Sequence, residues 1–155
     1  MSRAFVRESE GGEAFEDLPD RPVSPHHLVT PSGLARMDQA IEDLNKRLAE
    51  AQGTGDKAEI ARLSRDLRYW SLRRASAEVA PVPTDTEHVR VGSKVTFERE
   101  DGRQQTYRIV GEDEANPAEG TISYVSPLAQ ALMGKEVGDT VPVGQATAEI
   151  VAIDI

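Results

Sequence analysis

Apolar side chains at Leu34, Met37, Ile41, Leu44, Leu48 and Ala51 follow one another at alternating intervals of three and four residues. That interval is the a/d seam of a helix built to pair with another helix. Thr30 and Pro31 supply an N-cap and a first-turn residue for it. The seam stops at Gly53-Thr54-Gly55 and resumes through Ile60, Leu63, Leu67, Trp70 and Ala77, with Arg74 as its one polar intruder. Pro81 and Pro83 end the second helix. Two helices joined by so short a loop run antiparallel, so residues 30–83 predict a coiled-coil hairpin with its tip near residues 53–56. At about 1.5 Å per residue, each arm spans roughly 30–37 Å.

The period then shortens to two. Residues 94–100 alternate, Asp101-Gly102 marks a hairpin turn, and residues 105–110 resume an extended pattern. Residues 121–125 read as a further strand, Ser126-Pro127 opens a short helix, and Gly134 closes it. Residues 137–143 and 146–153 read as two closing strands around a turn at Gly144. The predicted class is therefore α+β: an antiparallel α-helical hairpin followed, over residues 84–155, by a small unit of antiparallel strands with one helix on a face.

Residues 1–29 lack either period. They carry six acidic side chains against three arginines and close on Pro22, Ser24 and Pro25, the pattern of a disordered acidic tail. His26 and His27 have no third ligand nearby in the sequence and read as linker residues rather than a metal site. The 155 residues hold no cysteine, which removes disulfides, thiolate metal sites and cysteine nucleophiles together. No run reaches the roughly 18 apolar residues of a membrane span, and the expectation is a soluble cytoplasmic protein, monomeric when free. A net charge of −9 opposes contact with nucleic acid except where basic residues gather locally. They gather on the second helix, where Arg62, Arg65, Arg68, Arg73 and Arg74 face only Asp66. Arg62, Arg65 and Arg68 are candidates to face RNA, an acidic protein surface would suit the same strip, and a solvated helix face explains the pattern equally well.

The tip carries the most informative chemistry. Asp56 and Glu59 stand three apart at a helix start. One reading is a capping box, with Asp56 accepting from the Glu59 backbone N–H and Glu59 reaching back. The other is a pair of oxygen ligands for a Mg²⁺ held mainly by another macromolecule, since Mg²⁺ takes few carboxylates and keeps water and phosphate oxygens. A capping aspartate keeps unused lone pairs, so the two readings are partly compatible.

Longer stretches carry a resemblance. The segment from Tyr107 to Glu114, YRIVGEDE, and the segment from Ile122 to Asp139, ISYVSPLAQALMGKEVGD, resemble the signatures of the Gre transcript-cleavage factors of bacterial RNA polymerase (GreA/GreB), and YRIVGEDE is nearer the GreB form. The segment from Val29 to Leu34 is similar to that family's entry into its first helix. The resemblance covers roughly residues 28–155. It implies an FKBP-like C-terminal domain that docks on RNA polymerase, with Ser126, Pro127, Leu128, Gln130 and Lys135 as the partner-binding candidates. It also implies a coiled coil that enters the secondary channel, where Asp56 and Glu59 help hold a Mg²⁺ shared with the polymerase. The polymerase's own active site then cleaves backtracked RNA, and the factor has no catalysis of its own.

At the tip the sequence departs from the family pattern: Ile60 stands for an asparagine, Arg62 for an acid and Leu63 for a tyrosine, and the arms are about a heptad shorter. The departures fit an alternative within the same resemblance, a secondary-channel regulator that modulates transcription without stimulating cleavage. A free-standing prolyl isomerase is disfavoured, because Phe97, Tyr107 and Tyr124 are the only aromatics after residue 84. Plain coiled-coil scaffolding leaves the C-terminal signatures unexplained.

Overall fold

The structure is a computed structural model that describes residues 19–22 and 27–155. The tail reading for residues 1–18 and 23–26, and with it His26, lies outside the described residues. The chain divides into two compact units. One contains Ala35–Ser76 with the described residues 19–22, and the other contains Ala77–Ile155 with the chain from residue 27 through Leu34.

Two helices build the first unit: α1, Pro31–Thr54, from Ala35 onward, and α2, Lys57–Ala75. Thr30 caps α1, its Oγ1 accepting from the Gly33 N–H at 3.1 Å. At the far end Gly55 takes φ 75°, a left-handed conformation that a side chain resists, and its N–H returns to the Ala51 carbonyl at 2.9 Å. The helices run in opposite directions, since Arg74 Nε donates to Asp38 at 2.7 Å at one end and Arg47 pairs with Glu59 at 3.5 Å at the other. Between them Leu44, Ala51 and Leu63 are buried, with Leu48, Ile60, Leu67 and Trp70 packed against them. These are the seam positions of the sequence pattern.

The pattern fails at the base of α2. Arg74 is only half-buried, and burial falls instead on Arg73, 3% exposed. The helix ends at Ala75, well before Pro81, with the Ser76 N–H closing on the Leu72 carbonyl. Ala77–Val79 then forms β2, parallel to β1, His27–Val29. So Ala77 is a strand residue rather than a seam residue, and His27 is buried in a strand rather than lying in a linker. The same pairing moves the boundaries expected at 29/30 and 83/84, because backbone bonds such as Ala80 N–H to Val29 carbonyl, 2.8 Å, bind both ends of the hairpin segment into the second unit.

The second unit holds a five-stranded sheet in the order β5-β4-β3-β7-β6. The strands are β3 (Lys94–Arg99), β4 (Gln104–Val110), β5 (Thr121–Ser123), β6 (Thr140–Val143) and β7 (Ala146–Asp154). Val95, Phe97, Ile109, Val141 and Ile150 of its core are fully buried, and α3, Pro127–Leu132, adds Ala129 and Leu132. The sheet is mixed, contrary to the all-antiparallel expectation: β5 pairs parallel with β4 after two short 3₁₀ turns, Glu112–Glu114 and Pro117–Glu119. Two strands are also shorter than expected. Val125 and Val137 fall in turns and are 51% and 54% exposed.

One polar cluster at the head of α1 was not foreseen. The Glu114 carboxylate is buried and accepts from the Thr30 N–H at 3.0 Å, the Gly111 N–H at 2.9 Å and the Thr30 hydroxyl. Gly33 lies against it, and a Cβ there would stand 2.2 Å from the Glu114 carboxyl carbon. Glycine is required at this position by space rather than by backbone conformation.

Candidate functional site

The hairpin turn is set by Gly55, which lets α1 stop, and by Asp56, which starts α2. Asp56 is an extended N-cap whose Oδ1 accepts from the Glu59 N–H at 3.2 Å. Only half of the expected capping box forms, because the Glu59 carboxylate turns to arginines instead. It pairs with Arg62 one turn along α2 and with Arg47 of α1 at 3.5 Å. Glu59 is thereby drawn down to 30% side-chain exposure while its two partners stay over half exposed. The turn thus brings Asp56 and Glu59 together as the spacing predicted, but it supplies a cation to each side of one of them. Arg47 had no signal in the seam pattern, since it lies outside the a and d positions.

The three RNA-facing candidates are all engaged within the first unit. Arg62 is held by Glu59, Arg65 Nε stands 3.7 Å from Asp66, and Arg68 Nε donates to Asp20 at 2.7 Å. Asp20 therefore contacts α2, and Arg21 follows it: its guanidinium lies 3.6 Å from the Tyr69 ring centroid and 3.6 Å from Asp66.

In the second unit, Ser126 caps α3 by accepting from the Ala129 N–H at 3.3 Å. Pro127, Gln130 and Lys135 are exposed, and Leu128 packs against the core. Gln130 Nε2 donates to the Tyr124 carbonyl at 2.6 Å, which fixes the turn that carries Val125. Beyond α3, His88 Nε2 meets Glu136 at 3.0 Å. The five partner-binding candidates thus divide into a cap (Ser126), a core contact (Leu128) and three surface residues. Among the described residues no group of three or more His, Cys, Asp or Glu could hold a metal ion, and no helix is long and apolar enough to cross a membrane.

The chain thus carries a helical hairpin with Asp56 and Glu59 at its turn and, after it, a small α+β unit. Residues 84–155 match the family described as transcription elongation factor, GreA/GreB, C-terminal. A transcription elongation factor GreB of Xanthomonas axonopodis pv. citri (strain 306) is 34% identical over 82% of this chain and 90% of its own length. The GreB of Pseudomonas aeruginosa is 36% identical over 71% of this chain and 77% of its own. A solved GreA/GreB factor from Nitrosomonas europaea aligns at a TM-score of 0.43 and 20% identity, over 83% of this chain and 99% of that one. The chain belongs to the GreA/GreB transcription elongation factor family.

Proposed function

We propose that this protein acts on bacterial RNA polymerase through the secondary channel and stimulates cleavage of backtracked RNA by lending tip carboxylates to the polymerase Mg²⁺ site. The observation that carries the reading is the turn itself, where Asp56 is exposed and uses one carboxylate oxygen for capping. Two carboxylates do not complete a metal site in this chain, but they fit the minor ligand share that Mg²⁺ takes beside water and phosphate. When bound there, the ion supplies charge stabilisation and an activated water. This chain's part is to hold Asp56 in place at the end of a packed hairpin and to bring Glu59 beside it. In this reading the hairpin is a coiled-coil arm, supported by its buried seam. The second unit is an FKBP-like docking domain, supported by the mixed sheet with α3 on one face. Pro127, Gln130 and Lys135 form its contact surface.

The bridges from Arg47 and Arg62 to Glu59 favour a second reading, a channel-occupying regulator that does not stimulate cleavage. They place positive charge where a cation would bind. Exposed pairs of this kind are worth about 0–1 kcal/mol each, so a strong metal site could displace them. Stalled, backtracked complexes separate the two readings. Stimulated release of 3′ RNA fragments by the wild-type protein, lost in Asp56→Asn, supports cleavage; altered pausing without fragments supports occupancy.

A further inference from the structure

The second unit holds a cleft of about 250 Å³ that neither the tip nor the α3 surface uses. Tyr107 and Ile109 of β4 join the core on which α3 packs, so Arg108 and Val110, which alternate with them, lie on the other face of the strand. Both line the cleft, together with Val91, Ile155 and the strap from Ala80 to Pro83. All of these residues belong to the second unit. Pro83 lies close on Gly92, where a Cβ would stand 2.9 Å from the proline Cδ, so a position without a side chain sets the width at that end. Val82 and Ile155, 59% and 53% exposed, leave apolar surface open at the cleft.

Arg108 is the one charged side chain in this apolar lining, and it is half-buried. Its Nη1 donates to the Gly92 carbonyl at 2.6 Å, and no carboxylate among the described residues pairs with it. The Nε–Nη2 edge therefore stays open, and that edge takes a carboxylate through two parallel hydrogen bonds. Lys94 stands directly opposite Arg108 in the β3–β4 register. Like charges so placed repel, and an anion beside them removes the repulsion. Asp154 stands opposite Lys94 on β7 but makes no ion pair with it. The cleft is smaller than the ~300–1,000 Å³ usual for drug-sized ligands, so it suits one short chain or ring rather than a nucleotide. We propose that it is a binding site for a small organic carboxylate with an apolar body. The carboxylate would meet Arg108, with Lys94 at the rim, and the apolar body would lie against Val91, Val110 and the prolines of the strap.

The test titrates sodium octanoate into the full chain, nitrogen-labelled for amide NMR, without polymerase. The cleavage reading and this one therefore stand or fall separately. Octanoate should shift the Val82, Gly92 and Val110 amides together and saturably. Acetate lacks the apolar body and octanamide lacks the charge, so each should bind at least about tenfold more weakly. Arg108→Gln should weaken octanoate by a similar factor, and Lys94→Gln, at the rim, by about twofold to fivefold. Arg108→Lys keeps the charge without the planar fork and falls between wild type and Arg108→Gln. Because Arg108 also holds the Gly92 carbonyl, the spectra of its variants report whether the fold survives; if it does not, Lys94→Gln and octanamide decide alone. Three results overturn the proposal: no saturable shift at these amides, octanamide binding as tightly as octanoate, or an octanoate affinity that the deciding substitution leaves unchanged.

Discussion

Gly33→Ala reverses the usual sign of a helix substitution. In the first turn of an ordinary helix, glycine to alanine is favourable by up to about 1 kcal/mol. Here the new Cβ would lie 2.2 Å from the Glu114 carboxyl carbon and 2.4 Å from Oε2, which no packing tolerates. Glu114 is itself hemmed in by Gly111, where a Cβ would stand 2.7 Å from the same oxygen. The carboxylate has to withdraw, and it then gives up the Thr30 and Gly111 N–H groups that it now satisfies. Each buried donor left without a partner costs about 1–3 kcal/mol, so the loss is about 2–6 kcal/mol before the helix gain is subtracted. The expected result is a net destabilisation of about 1–5 kcal/mol in urea unfolding. Hydrogen exchange at the Thr30 and Gly111 amides would accelerate by the corresponding factor. In a Glu114→Ala background the clash is absent, so Gly33→Ala becomes neutral or stabilising, and the double-mutant cycle isolates the coupling. A stabilising Gly33→Ala in the wild-type background refutes the reasoning.

Leu63→Ala removes a side chain 3% exposed between α1 and α2 and should cost about 2–4 kcal/mol, with helicity falling in both helices together on thermal melting. Arg62→Ala releases one of the two cations on Glu59. If the bridges restrain the tip, cleavage of stalled complexes should rise over wild type, with polymerase affinity unchanged. Asp101 accepts from the Arg103 N–H at the β3–β4 turn, and that hydrogen bond, with the Arg103 side chain, holds its carboxyl below the ordinary range. A carboxyl lowered in this way supports the fold above its unfolded value and loses that support as pH falls through the folded one. NMR titration of the Asp101 carboxyl should show the low midpoint in wild type and only a partial return toward the ordinary value in Arg103→Ala, which loses the guanidinium but keeps the backbone N–H donor.

The hairpin was legible because its seam is periodic and local: Leu44, Ala51 and Leu63 are buried where the intervals of three and four place them. The turn was legible for the same reason, since Gly55 and Asp56 are adjacent signals for ending one helix and starting another. What escaped the sequence is non-local. β1 and β2 are three residues each and pair across the whole helical hairpin, with no period of their own. The parallel step from β4 to β5 passes through two 3₁₀ turns that carry no apolar repeat. Nothing in the run Glu112-Asp113-Glu114 singles out Glu114 for burial, and Gly33 and Gly111, far apart in sequence, mark the space it fills. At the candidate site the spacing of Asp56 and Glu59 located the tip. Charge counting placed the arginines on α2, but it could not show that Asp20 and Glu59 already engage two of them or that Arg47 of α1 shares Glu59.

Fragment release from a backtracked RNA polymerase complex tests the central claim most directly. A complex with 3′-end-labelled RNA is mixed with saturating wild-type protein or Asp56→Asn, which preserves the helix cap because asparagine caps as well as aspartate. The account predicts rapid release of short labelled 3′ fragments with wild type and little above the intrinsic rate with Asp56→Asn, at equal polymerase binding. Wild-type protein that binds without raising the release rate, or an Asp56→Asn variant that raises it equally, contradicts the role assigned to the tip.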